Sequence, residues 1–320
     1  MTLRRLPVLP ALLALLAAVV VSGCASSSTA SGGRPRVVAT TTQLGDFVRA
    51  VGGSAVDVHQ ILTPNTDPHE YEPRPNDVSA TAGAKLVVLS GNRLDAWMGK
   101  VLKQSGGKPS VLTIAPASTP DRVAGITSGP EASRFDPHWW HDPRNVESAV
   151  LAIRDALTRA DPGHQATFAR NAAAYEARLH ALDAGIARCF AAVPAPQRKL
   201  VTDHDAFNYF ARHYGITVVG AVIPSQTTQA QASAGAVAKL ASLIKAEHVR
   251  AVFPESSINA KLADALARET GAKSNYTLYG DTLGPAGSPG ATYLAMEQHN
   301  ADSMVRGFTG GRLGCSISGL

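Results

Sequence analysis

Short apolar runs alternate along the chain with segments whose apolar positions recur every three or four residues. The run 36–40 predicts a strand, and the amphipathic segment 43–51, closed by Gly52-Gly53, predicts a helix. The pattern continues as strand 56–61, helix 75–82, strand 86–90, helix 95–103 and strand 111–114. These strands are apolar throughout rather than alternating, as expected for a parallel sheet covered on both faces. From 145 to 192 the chain turns alanine-rich and helical, interrupted at Asp161-Pro162-Gly163. Proline suits a first helical turn but not a helix interior, so two helices are predicted, the second over 163–191. Phe168, Ala172, Tyr175, Leu179 and Leu182 fall at spacings of three and four, giving it one buried face. Beyond Pro194-Ala195-Pro196 the alternation resumes as strand 199–202, helix 206–213, strand 217–222, helix 229–247, strand 249–253, helix 260–270, strand 274–279 and helix 291–306. The expected fold is α/β, with two lobes, each a parallel sheet flanked by helices, joined by one long rigid helix.

The length of 320 residues accommodates two such lobes, and 45% hydrophobic with 17% charged residues excludes a disordered chain. The N-terminus reads differently from the rest. Arg4 and Arg5 precede an apolar stretch over 11–21 that ends in Val21-Ser22-Gly23-Cys24, a secretory signal too short to span a membrane. The small residues before Cys24 look like a bacterial lipobox, with cleavage before Cys24 and lipidation of its thiol; an ordinary secretory signal with a chance cysteine is the alternative. The expected organisation is a lipoprotein signal peptide over 1–23, a flexible tether over 24–35, an N-terminal lobe over 36–160, a linking helix over 161–193 and a C-terminal lobe over 194–320. Loss of Arg4 and Arg5 lowers the formal charge from +5 to +3. With no longer basic run in the mature part, a nucleic-acid partner is not expected. Cys189 and Cys315 then lie in an oxidising compartment, either as one disulfide or as two unpaired thiols.

The chemistry lies in the histidines. In open parallel sheets ligands bind beyond the C-terminal strand ends, and four polar residues fall there. His69 follows the second strand in a loop with three prolines, Pro64-Asn65-Thr66-Asp67-Pro68-His69-Glu70-Tyr71-Glu72-Pro73. His138 lies in Phe135-Asp136-Pro137-His138-Trp139-Trp140-His141-Asp142-Pro143, where the Asp-Pro-His triplet recurs. His204 follows the first strand of the second lobe, and Asp281 follows the last. A single loop histidine is usually solvated, and a single aspartate can be a turn residue; the four together, at the ends of strands facing one cleft, make a donor set. Three neutral imidazoles and a carboxylate suit tetrahedral Zn²⁺, whereas Mg²⁺ and Ca²⁺ call for mainly oxygen ligands.

The stretch 64–102, with Asp67-Pro68-His69-Glu70-Tyr71 and Leu89-Ser90-Gly91-Asn92-Arg93-Leu94-Asp95-Ala96-Trp97-Met98, resembles the zinc/manganese substrate-binding lipoproteins of ABC metal importers, the cluster A-I receptors. So do Asp136-Pro137-His138-Trp139-Trp140, Asp203-His204-Asp205-Ala206-Phe207-Asn208-Tyr209-Phe210, Phe253-Pro254-Glu255-Ser256-Ser257 and Tyr279-Gly280-Asp281-Thr282-Leu283-Gly284, in the family's order over essentially the whole mature chain. The resemblance implies that His69, His138, His204 and Asp281 are the four metal ligands. It further implies that the chain is no enzyme but an extracytoplasmic, monomeric lipoprotein held by Cys24 at the outer face of the cytoplasmic membrane. There it would deliver Zn²⁺ as transported ligand to an ABC permease and its ATPase subunit. Histidine at the third ligand position favours zinc; a manganese- or iron-binding receptor of the same class is the alternative.

Departures from the family pattern add further expectations. Residues 115–135 contain no histidine, so a histidine-rich scavenging loop is absent. His141 stands where an aliphatic residue is usual, as an alternative or transient ligand or as a group beside the ligands or at the surface. Glu255, after the less usual Pro254, is expected to orient a ligand imidazole or else to cap the following helix. Two other classes remain open: an extracytoplasmic zinc hydrolase with Glu255 as general base, which lacks a His-Glu-x-x-His motif, and a surface adhesin that kept the fold.

Overall fold

The computed structural model describes residues 1–3, 33–129 and 131–320. The compact unit Arg34–Leu320 contains the elements described below. The expected signal and tether, with Cys24, lie outside the described residues apart from residues 1–3 and 33–35.

Four strands, β1 (Arg36–Ala39), β2 (Asp57–Gln60), β3 (Leu86–Gly91) and β4 (Ser110–Ala115), form a parallel sheet in the order β2-β1-β3-β4. Central β1 pairs Val37 with both Val58 and Leu86, and its Val37, Val38 and Ala39 are fully buried, as a strand covered on both faces requires. The helices α1 (Thr42–Gly52), α2 (Pro75–Ala82), α3 (Met98–Ser105) and α4 (Pro143–Ala160) belong to this lobe. Helix α3 begins three residues later than the apolar pattern suggests. Asp95 is instead taken up by the backbone N–H groups of Ser90 and Gly91 and by the Thr40 hydroxyl, at 2.6, 3.1 and 2.6 Å, which fixes the chain leaving β3 in a non-helical turn.

The linking helix α5 (Gln165–Ala191) is 27 residues long, preceded by a 3₁₀ turn over Pro162–His164. It packs on α1 and α4 of the first lobe, and on α6 (Asn208–Tyr214) and α9 (Tyr293–Thr309) of the second. Phe168, Ala172, Tyr175, Leu179, Leu182, Ile186 and Phe190 form its buried stripe. One hydrophobic core runs from Phe47 through this stripe to Phe253 and Phe308, so the lobes share an interior.

The second sheet pairs β5 (Lys199–His204) with β6 (Thr217–Ile223) in parallel. The strands expected over 249–253 and 274–279 are present only as isolated parallel bridges, Thr202 to Phe253, Ala251 to Lys273 and Glu255 to Leu278. Pro254 has no N–H to donate to the ladder, which leaves it too sparse for continuous strands although the chain still runs in the expected places. Helix α7 (Ala234–Ala246) starts later than expected because Ser233 caps it, accepting the N–H of Ala236 at 3.1 Å. Residues 229–232 therefore remain loop. Helix α8 (Lys261–Thr270) ends at the left-handed Gly271. The C-terminal tail returns to α5, where Cys315 forms a disulfide with Cys189, Cα atoms 5.4 Å apart. Gly185 admits the tail, because a Cβ there would collide with Ile317.

The joint between α5 and α6 has a polar centre. Asp183 accepts hydrogen bonds from His213 and Tyr214 at 2.7 and 2.8 Å. Burial opposes its ionisation, but these bonds prevail and hold the carboxyl below its ordinary 3.8. A carboxyl lowered on folding contributes stability above its ordinary value and loses it as pH falls through the native value. Asp183→Ala is therefore expected to destabilise the protein by about 1–3 kcal/mol near neutral pH in denaturant unfolding. The difference from wild type should shrink toward about pH 3.

Candidate metal centre

Each of the four residues is aimed by its local chain. In both Asp-Pro-His triplets the aspartate Oδ1 accepts the N–H of the histidine two residues on, Asp67 with His69 and Asp136 with His138, each at 2.9 Å. The intervening proline fixes the turn. Trp139 and Trp140 then anchor the second loop, the first donating to Ser90 Oγ and the second to the carbonyl of Gly280 in the other lobe, both at 3.0 Å. His204 is the last residue of β5, and Asp281 follows the bridge of Leu278 to Glu255.

The structure brings His69, His138, His204 and Asp281 together, all buried, with one potential ligand atom from each lying within 4.8 Å of the others. Asp281 oxygens lie 3.2 Å from His138 Nε2, 3.3 Å from His204 Nε2 and 3.8 Å from His69 Nε2, and the Nε2 atoms of His138 and His204 are 3.3 Å apart. A tetrahedron with arms of ~2.0–2.1 Å has edges of about 3.3–3.4 Å, so these separations frame a site of the right size for one such ion. His69 Nε2 and both oxygens of Asp281 lack a good hydrogen-bond partner among the described residues although fully buried. Orphaned buried polar atoms that converge in this way call for a cation.

Behind each imidazole stands a carboxylate. Glu131 meets His69 Nδ1 at 2.7 Å, Asp136 meets His138 Nδ1 at 2.7 Å, and Glu255 meets His204 Nδ1 at 2.9 Å. With Nδ1 held as the donor, Nε2 presents its lone pair to the centre. Burial opposes charge on His69, but Asp281, joined by Glu131, outweighs it and pushes the ring up to about 9. The same opposition, with carboxylates prevailing over burial, raises His138 and His204. Burial also disfavours the Asp281 charge, yet the surrounding imidazoles hold its carboxyl well below the ordinary value.

Of these carboxylates, sequence reasoning singled out Glu255 and missed Glu131 and Asp136. Asp136 had a signal in the repeated triplet; Glu131 had none, because a loop brings it 62 residues along the chain to His69. Glu255 also accepts the backbone N–H of His204, at 3.1 Å. His141 lies outside the four-residue cluster and is not a surface group: it is fully buried, stacked on Phe207 at 4.3 Å, with Nδ1 2.7 Å from Glu297 of α9.

The profile of the family described as the periplasmic zinc-uptake complex component A matches residues 37–307. The chain is 32% identical over 285 residues to the zinc-binding protein TroA of Treponema pallidum, covering 88% of this chain and 91% of that protein. It is 33% identical over 273 residues to the iron-binding protein YfeA of Yersinia pestis, covering 85% and 86%. It is 31% identical over 299 residues to the manganese-binding lipoprotein MntA of Bacillus subtilis, covering 91% and 96%. The solved structure of the periplasmic zinc-binding protein TroA superposes with a TM-score of 0.78 over 86% of this chain and 99% of that one.

Gly280 sets the position of Glu255, because a Cβ at residue 280 would collide with Glu255 Oε2. Gly280→Ala should push Glu255 off His204 and weaken divalent-metal binding about 10–100-fold, measured by calorimetric titration. Wild-type affinity in a variant that keeps its melting temperature would show that Glu255 does not orient His204.

Proposed function

Because the chain belongs to the family of periplasmic zinc-uptake components, which are metal-binding receptors of ABC importers and not enzymes, we propose that it captures Zn²⁺ between its lobes and delivers it to a membrane permease. Substrate-binding components of this class work with a permease and its ATPase. The observation that carries the zinc reading is the donor set itself, three Nε2 atoms and one carboxylate at tetrahedral spacing. His69, His138, His204 and Asp281 are the ligands in this reading, and Glu131, Asp136 and Glu255 hold the rings. Four protein donors leave no vacant position for an activated water, which suits a carrier rather than a hydrolase.

Two ligands come from each lobe, so a small shift between the lobes, or of one loop, lengthens several bonds at once and releases the ion. The shared core and the long α5 favour movement of loops over wide hinge closure. The mature chain acts as a monomer tethered through lipidated Cys24 outside the cytoplasmic membrane. A manganese- or iron-specific receptor is the second reading, favoured by relatives of similar identity that carry those metals in their names.

Elemental analysis of protein purified from its own cell envelope, followed by competition of zinc against manganese and iron, tests the metal. Zinc as native occupant at one ion per chain is expected; manganese or iron would overturn the zinc assignment and leave the importer reading standing. Asp281→Ala and His204→Ala should each lower zinc affinity at least about 10-fold. Since a protonated imidazole cannot ligate, zinc affinity should also fall between about pH 7.5 and pH 5.5, and a flat profile would speak against three histidine ligands.

A further inference from the structure

The three histidines are not held equally. Asp136 and Glu255 are fully covered and themselves tied down: Asn208 donates to Asp136 at 3.1 Å, and Glu255 accepts the backbone N–H of His204. The Glu131 side chain is 15% exposed, and among the described residues its carboxylate hydrogen-bonds to His69 alone. Gln229, in the loop before α7, donates its amide to the His69 backbone carbonyl. Glu131 comes from the first lobe and Gln229 from the second, so two loops pinch one ligand. A cavity of about 410 Å³ opens at this place, with His69, Glu131, Gln229, Ala96 and Trp97 in its wall, and none of the other three candidate ligands lines it. The side chains of all four candidate ligands, His69 included, are fully covered.

An ion bound by four buried groups needs a path, and His69 is the only one of the four that borders this open space. The geometry points to a gate: metal enters and leaves through the cavity beside Trp97, past His69, and the Glu131–His69 contact, flanked by Gln229, sets the rate of exchange. Arg93 and Lys100 also line the cavity, so an ion passing through it meets two positive side chains before it reaches the Glu131–His69 contact at the inner end. Glu131 is thus a positioning residue with a kinetic role, because withdrawing it frees the His69 ring and joins the cavity to the site. This inference rests on the four-ligand metal site proposed above.

The test uses the full mature chain with Zn²⁺ alone, its association followed by stopped flow and its dissociation by transfer to a chelator. Ala96→Trp narrows the cavity from a wall residue that is neither a candidate ligand nor one that holds a ligand. It is expected to slow association and dissociation alike, by roughly fivefold or more, with the equilibrium affinity unchanged. Glu131→Ala should speed both rates, and Glu131→Gln, which keeps an acceptor for Nδ1, should restore values near wild type. The gate is overturned if folded Ala96→Trp and Ala96→Phe proteins exchange zinc at wild-type rates, or if Glu131→Ala raises the dissociation rate alone, as mere support of a ligand would. Failure of the wild-type protein to bind zinc, manganese or iron would overturn the site assignment itself, a result distinct from either.

Discussion

Four carboxylates, Glu131, Asp136, Glu255 and Asp281, surround three imidazoles in a space from which water is largely excluded. With neutral rings the cluster carries four negative charges, a state that burial makes costly. It must therefore hold cations, and two kinds are at hand. Burial opposes a charge on each ring, but the neighbouring carboxylates prevail and favour its protonated form; a divalent ion offers the other balance. Metal and protons then compete for the same nitrogens. The electrostatic design thus keeps the folded protein tolerable in both states, rather than leaving an open wound of unpaired charge whenever the ion departs.

That arrangement depends on the lobes meeting in fixed register. Trp140 of the first lobe donates to Gly280 and receives the Tyr293 hydroxyl at its own carbonyl, while Thr42 accepts the N–H of Leu283 and Asp46 that of Tyr293. These bonds bracket Asp281 on both sides and lie beside the continuous core. A molecule built so can adjust its ligand loops while the sheets stay put, consistent with the uneven hold on the three imidazoles.

The parallel α/β plan was legible because buried strands must be continuously apolar and the linking helix must show one stripe; Phe168 to Leu182 met that rule. The four converging residues were legible because strand ends in such sheets face one cleft. Element starts were less so. Asp95 reads as the opening of a helix, yet its carboxylate is used by Ser90, Gly91 and Thr40, a tertiary demand that periodicity does not register. Pro254 breaks a ladder whose flanking residues still look like strand. Glu131 sits in a loop with no pattern, and its partnership with His69 exists only in three dimensions. His141 read mainly as a group beside the ligands or at the surface, with ligation the lesser alternative; it is buried, with its partner Glu297 on α9, 156 residues away.

The Cys189–Cys315 bridge joins the end of α5 to the tail across 126 residues. Between those two cysteines lies nearly the entire second lobe, including His204, Glu255 and Asp281. The lobe is therefore a covalent ring, closed where Cys315 of the tail meets Cys189 of α5. A nick anywhere along the backbone inside that ring produces two polypeptides that stay attached through the disulfide. Such damage therefore need not separate the residues of the four-ligand cluster.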